Sequence, residues 1–303
     1  CRGLSSISLP PNITTLGSSV FTGCSSLTEI FIPKTLESVG YAFNGSGVVT
    51  AEFEYGMTVI PNGMFYGAGN LKNVTIPETV VTIGNNAFFN CTSLETIKLP
   101  QYVTEIDWNA FRGCTSLKEI SMPNSITSMG TSLFSGCTSL EKVKLPNTIT
   151  RLPNNTFTDC TSLTDIILPS SVIGIDSDAF RNCSALSVIA IPEGVTTIYS
   201  SAFENCTALE SISIPSACKQ IYGSAFKGCT ALKSVELQYG LEGIGSQAFY
   251  ECEALAAVSI PDSVTSLGSQ AFYGCDSLSD VRFGIGLTQI PDSAFRQCQA
   301  LQE

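Results

Sequence analysis

The chain has 303 residues, 44% of them hydrophobic and only 14% charged, with a formal net charge of −11 on 15 Lys and Arg. It contains no histidine, so the commonest general base and the commonest transition-metal ligand are both missing. An acidic surface without a basic cluster repels phosphate backbones, and no stretch approaches the ~18 uncharged apolar residues of a membrane-spanning helix. Neither nucleic-acid binding nor membrane insertion of this segment is expected.

The chain opens on Cys1 rather than Met, which suggests a processed or trimmed piece of a longer protein. Sliding the sequence along itself then reveals its organisation. "TSLGSQAFYGCDSLSDVRF" at 265–283 follows "EGIGSQAFYECEALAAVSI" at 242–260 and "KQIYGSAFKGCTALKSVEL" at 219–237, each step being 23 residues. The motif Phe falls in chain order at Phe21, Phe43, Phe65, Phe88, Phe111, Phe134, Phe157, Phe180, Phe203, Phe226, Phe249, Phe272 and Phe295. The first two steps are 22 residues and all later ones 23, so about 13 tandem units fill residues 1–303 and leave no room for a linker. We number these coils 1 to 13 by their Phe.

Within one coil, "LSVIAIPEGVTTIYSSAFENCTA" at 186–208, Leu186, Ile189 and Ile191 form L-x-x-I-x-I, whose last positions alternate as a half-buried strand requires. Pro192 lacks an N–H and stops the strand. The same Pro recurs at 10, 33, 77, 100, 123, 146, 169, 215 and 261. Val195 and Ile198 turn inward on a second leg. Ala202, Phe203, Cys206 and Leu209 suggest a tight 3₁₀-like corner that leads into the next strand. No coil can bury this apolar edge alone, but identical coils stacked on one another can. Equivalent strands would pair in parallel at ~4.8 Å with right-handed crossovers, giving a mostly β rod or arc on the order of 60 Å long.

The strand pattern matches that of leucine-rich repeats, and the fuller "CTSLTxIxIPxSVTxIGxxAFxxC" resembles the BspA-like subclass across essentially the whole chain. The resemblance implies a right-handed repeat solenoid, with one parallel sheet on the strand face and short 3₁₀ or irregular turns opposite. It also implies secreted or cell-surface proteins of host-associated bacteria and some protists, acting as adhesion and protein-binding modules, with no catalytic residues to carry over. The pattern is broken at residues 44–62, "NGSGVVTAEFEYGMTVIPN", where two residues and a Cys are missing.

Twelve of the 13 cysteines occupy one repeat position: Cys1, Cys24, Cys91, Cys114, Cys137, Cys160, Cys183, Cys206, Cys229, Cys252, Cys275 and Cys298. Stacked Cα atoms at ~4.8 Å lie within disulfide range, but in-register Cβ atoms stay farther apart than the ~3.8 Å a disulfide prefers. Metal binding wants clusters such as C-x-x-C, and this file has no His partners. The favoured reading is a structural ladder of buried thiols from Cys91 to Cys298, acting as small hydrophobes. Gly47 and Ala68 stand at or near the phase of the two missing members. Cys218, off the ladder, reads as core.

Other features carry weaker signals. Asn12, Asn44, Asn73, Asn90, Asn154, Asn182 and Asn205 head N-x-S/T sequons, but Asn before the corner Cys is also ordinary turn chemistry. Tyr66 with Phe89, Tyr250 with Tyr273, and Tyr199 with Tyr222 recur one coil apart, and could form a sugar- or peptide-binding platform or shield an edge. Trp108 reads as partly buried near a corner. Asp176 and Asp178 form an acid pair without a base beside it, and no catalytic constellation or cofactor motif is present.

The strand face remains. The residue between the two Ile points away from the core, and down the chain this file reads Ser8, Phe31, Glu52, Thr75, Lys98, Ser121, Lys144, Ile167, Ala190, Ser213, Glu236, Ser259 and Arg282. It varies while core positions repeat, as suits a recognition surface. Phe31, Lys98, Lys144, Ile167 and Ala190 are the candidate partner-binding residues, with Glu95, Glu119 and Glu141 near enough to pair with the lysines. The expected function is a non-enzymatic, cofactor-free, cell-surface or secreted adhesion module, binding a protein such as a host extracellular-matrix or surface protein. A structural stalk and a carbohydrate-binding module are the alternatives.

Overall fold

The computed structural model describes residues 1–302. They form 23 short strands, all paired strands run parallel, and no helix occurs among the described residues. The chain divides into two compact units, Cys1–Ile149 and Thr150–Glu303, and the boundary falls inside coil 7. Each unit is a parallel β-solenoid segment.

In the first unit the strand face carries Glu29–Ile32, Thr50–Phe53 and Asn73–Thr75 in one sheet, and Glu119–Ser121 with Lys142–Lys144 in another. In the second, Asp165–Ile166 pairs with Val188–Ile189, and Ser211–Ile214, Ser234–Leu237, Ala257–Ser259 and Asp280–Arg282 form a four-stranded sheet. The alternation read from sequence is reproduced residue by residue: in Ser211–Ile214, Ile212 and Ile214 are buried while Ser211 and Ser213 are exposed. The strand face is thus a series of sheets rather than one continuous sheet.

The second leg departs further from expectation. In place of irregular structure, two-residue strands form a second parallel ladder. In the second unit it runs unbroken through Arg151–Leu152, Gly174–Ile175, Thr197–Ile198, Gln220–Ile221, Gly243–Ile244 and Ser266–Leu267. In the first it breaks once, between Ser38–Val39 and Val59–Ile60. That break has a cause in the sequence. Thr15 pairs with Ser38 and Val59 with Thr82, both 23 apart, but Ser38 and Val59 are 21 apart because two residues are lost between them. The strand face absorbs the loss by pairing Glu29 with Thr50.

The corner is not a 3₁₀ helix but a run of turns with two left-handed residues per coil. They lie two before and two after the Phe, such as Asn86 and Asn90 (both φ 55°), Asn109 (φ 57°) with Gly113 (φ 73°), and Ser201 (φ 55°) with Asn205 (φ 60°). Left-handed backbone favours Gly and Asn, which is why the residue before the corner Cys is so often one or the other. At the coil 4 corner three alternate N–H groups donate to the following coil: Asn86 to Trp108 O, Phe88 to Ala110 O and Asn90 to Arg112 O. The same trio recurs in the second unit, for instance from Ser201, Phe203 and Asn205 to Gly223, Ala225 and Lys227.

The core lies between these three ladders. Twelve of the repeat Phe residues are fully buried, and neighbouring rings stack: Phe180 and Phe203 lie 5.2 Å apart, and Phe203 and Phe226 5.1 Å with ring planes 1° apart. Burial of each Phe stabilises by ~1.5–3 kcal/mol, and each stacked pair adds ~0.5–1.5 kcal/mol. In the irregular coil the position of the missing Cys is taken by buried Ser46, three residues after Phe43, and not by Gly47. Ala68 fills the same slot one coil on.

Candidate functional site

Strand geometry sends alternate side chains outward, and all thirteen residues of the file between the two inward positions are exposed, from Ser8 to Arg282. The five candidate residues do not form one cluster. Phe31, 50% exposed, borders a shallow hollow of about 380 Å³ with Ile7, Thr50 and Glu52. Ile167, 86% exposed, and Ala190 lie in the second unit on coils joined by the Asp165–Val188 and Ile166–Ile189 pairs. Exposed Val188 extends this apolar strip. Lys98 and Lys144 line one groove of about 700 Å³ in the first unit, together with Lys142, which the repeat pattern did not single out.

This groove follows from the backbone. Lys142, Val143 and Lys144 pair fully with Glu119, Ile120 and Ser121, but coil 5 joins coil 6 by the single bridge Thr96–Glu119. Its next residues, Ile97 to Leu99, belong to no strand, and Asn73–Thr75 pairs only backward, with Thr50–Phe53. A second gap of about 290 Å³ therefore opens between coils 4 and 5, lined by Thr75, Glu78 and Lys98. Buried Ile97, Leu99 and Ile120 give the larger groove an apolar floor.

The charges around the groove are unevenly matched. Glu95 pairs with Lys118 at 2.9 Å rather than with Lys98, and this hydrogen bond holds the Glu95 carboxyl below its ordinary range and lifts the Lys118 ammonium above its own. Lys98 instead reaches Glu78 at 3.7 Å with its side chain 88% exposed. Among the described residues neither Lys142 nor Lys144 has a carboxylate at ion-pairing distance, so the expected pairing with Glu119 and Glu141 does not form.

The thiol file is buried from Cys24 to Cys298, while Cys1 is exposed, and all thirteen cysteines are thiols. From Cys91 onward the ladder side chains do more than fill space. Cys91 Sγ donates to Phe65 O at 3.2 Å, Cys114 to Phe88 O at 3.1 Å and Cys206 to Phe180 O at 3.2 Å, always 26 residues back. Cys137, Cys183, Cys229, Cys252, Cys275 and Cys298 repeat the bond at 3.1–3.2 Å, and Cys160 is buried in the same file. The accepting carbonyl also takes the Cys N–H of its own coil, as Phe88 O does from Cys91. Burial pushes the Cys114 and Cys229 thiols up to about 12 and Cys218 to about 11. A thiolate, the form that attacks or ligates, is thereby disfavoured. Among the described residues no three His, Cys, Asp or Glu side chains are arranged to hold a metal.

The aromatic pairs are stacked as expected, but on each other. Tyr66 and Phe89 lie 4.7 Å apart with rings 2° from parallel, Tyr41 covers Tyr66 at 4.5 Å, and Arg112 sits over Phe89. Tyr250 lies between Tyr273 at 4.8 Å and the Lys227 ammonium at 5.6 Å. Tyr199 stacks on Tyr222 at 5.3 Å and takes Arg151 on its other side at 5.1 Å, while Arg151 also pairs with Asp176. Trp108 is half exposed near its corner. Two sequon residues are tied down: Asn182 Nδ2 donates to Asp159 Oδ1 at 2.7 Å and Asn205 Nδ2 to Asn182 Oδ1 at 2.9 Å.

Comparisons with known proteins agree with this architecture. The chain is similar to a leucine-rich repeat protein from Bacteroides ovatus ATCC 8483, with 28% identity, a TM-score of 0.62, and coverage of 97% of this chain and 85% of that one. It is also similar to a leucine-rich cell surface protein from Faecalibacterium prausnitzii A2-165, with 29% identity, a TM-score of 0.58, and coverage of 95% and 86%. A leucine-rich repeat protein from Eubacterium ventriosum ATCC 27560 shares the fold at 23% identity and a TM-score of 0.54, over 84% and 78% of the two chains. No curated protein matches. The profile of the BspA type leucine rich repeat region (6 copies) matches residues 1–114, 81–210 and 196–303, and the chain belongs to that family.

Proposed function

We propose that this chain, folded as one leucine-rich-repeat solenoid over residues 1–303, is a non-enzymatic binding module. It acts at the cell surface or after secretion and adheres to a protein partner, such as a host extracellular-matrix or surface protein, through its variable strand face. The observation that carries this reading is the contrast along each strand. Inward positions repeat Leu, Ile and Val coil after coil, whereas the outward file changes from Phe31 to Glu52, Lys98, Ile167 and Ala190 and is exposed throughout. Folding requires only the inward set. Exposed apolar side chains such as Phe31 and Ile167 contribute nothing to the core and suit a contact surface.

Two further points support it. A relative of similar length is a cell surface protein. The carbohydrate alternative asks for open ring faces, and those of Tyr66, Phe89, Tyr250 and Tyr199 are covered by neighbouring rings or cations. A stalk, the other alternative, needs no particular outward residue. The deciding experiment is a surface-plasmon-resonance screen against extracellular-matrix proteins and glycans with the parent chain, Phe31→Ala and Ile167→Ser. Binding to a protein weakened tenfold or more by either substitution is expected; binding indifferent to both rules out the apolar strand-face residues as the contact.

A further inference from the structure

We propose that the groove opened by the interrupted ladder between coils 5 and 6 is the docking site for an extended acidic peptide segment of the partner, held by Lys98, Lys142 and Lys144. The proposal rests on the strand face being the binding surface and deepens it by naming the chemistry of one subsite.

Three observations converge on this place. The first is backbone geometry. Beyond the Thr96–Glu119 bridge, Lys98 and Leu99 make no backbone hydrogen bond to coil 4 or coil 6 among the described residues. Their peptide groups sit beside an opening of about 700 Å³. Coils 5 and 6 are held together on both sides of this opening, at Glu95–Lys118 and Glu105–Ser128, so the free donors and acceptors are met by a peptide laid over the outward face. The second is the apolar lining, where half-buried Pro123 and Val143 lie over buried Ile97, Leu99 and Ile120 and offer surface to apolar side chains of that peptide.

The third is charge. The chain carries −11 overall, yet three ammonium groups line this groove against the single carboxylate of Glu119. Two of the three have no ion-pair partner among the described residues, and the third has only the long contact to Glu78. Lys98 and Lys144 occupy the same outward register two coils apart, with Ser121 between them. Cations held near one another without counter-ions gain by meeting carboxylates. A long polyanion would run beyond the three lysines onto acidic surface and be repelled there. A short acidic peptide is the ligand that fits both the charge and the free peptide edges.

The test uses the full chain and fluorescence anisotropy with three probes: a labelled peptide of alternating Glu and Val, its Gln-for-Glu analogue, and a heparin oligosaccharide of matched charge. The acidic peptide should bind, the Gln analogue at least tenfold more weakly, and added salt should weaken the acidic peptide selectively. Lys98→Glu and Lys144→Glu should each cost about fivefold, as exposed charge contacts do, and the double variant about 25-fold. Lys233→Glu, remote from the groove and paired with Glu210, should have no effect. Unchanged circular dichroism of these surface variants assures that the fold is intact. No binding of the acidic peptide, equal binding of the Gln analogue, or indifference to Lys98→Glu/Lys144→Glu overturns the proposal. So does heparin bound more tightly through the same lysines. None of these outcomes bears on the Phe31 and Ile167 screen, so the subsite can fail while the strand-face reading stands.

Discussion

At the scale of single residues, the molecule depends on a side chain being covered on both sides by its own copies. Phe180 is fully buried between Phe157 at 5.4 Å and Phe203 at 5.2 Å. Phe180→Ala should therefore cost ~3–5 kcal/mol, as large cavities in cores do. Phe295, only half-buried although it touches Phe272, should cost less than half as much on the same substitution; urea denaturation of the two variants measures the difference. Equal losses would mean that stacking on both sides is not what stabilises the ring. Burial of the Phe, Leu and Cys positions was legible in sequence because the same apolar type returns at the same phase. The thiol hydrogen bond was not, since its acceptor is a backbone carbonyl 26 residues away and carbonyls leave no trace in a residue pattern. Nor was the identity of the residue in the missing Cys slot, because the lost residues shift the phase around Ser46.

Elements in this protein are short, and most of their order comes from the coils on either side. The second-leg strands span two residues each, too few for period-two alternation to register, so they become visible only when stacked. The corner left a clearer signature, the exchange of Asn and Gly before Cys, although its two left-handed residues imitate a 3₁₀ spacing. This gives a sharp expectation. Gly113 has φ +73°, and an added Cβ would collide with Asn90 Oδ1. Gly113→Ala should thus lose ~1–2 kcal/mol from backbone strain and displacement of the Asn90 side chain. Asn90→Gly, which keeps the backbone angle available, should lose less than ~1 kcal/mol. Thermal melts of both variants decide it, and the reverse ranking would contradict the left-handed corner. The groove at coil 5 was legible only in part. Lys98 and Lys144 stood out as outward cations, but pairing between strands is a property of neighbouring coils, and the residues of coil 5 alone do not announce the break.

For the molecule as a whole, repetition multiplies small terms. Burial raises the titration of the Cys114 and Cys229 thiols from an ordinary value of 9.0 to about 12. The unfolded chain therefore gives up its thiol protons first. Stability contributed by this difference is full below pH 9.0 and is lost as the pH climbs toward about 12, at about 1.4 kcal/mol per pH unit for each thiol. The urea midpoint should hold steady near neutrality and fall steeply above that threshold, and Cys229→Ala should flatten the fall measurably. A midpoint insensitive to alkali would show that the thiols are not buried in solution. Fold was readable from this sequence because one unit, seen thirteen times, averages away local ambiguity; the ligand was not, because recognition resides in the positions where the units differ. The corner has one more consequence. The N–H trio beside the repeat Phe points one way, from Asn86, Phe88 and Asn90 toward the next coil in the first unit and from Ser201, Phe203 and Asn205 in the second. Peptide dipoles of ~3.5 D aligned head to tail add along their common axis. Each unit, with no helix among its described residues, thereby acquires an electrical polarity along its own corner edge, of the kind normally associated with helices.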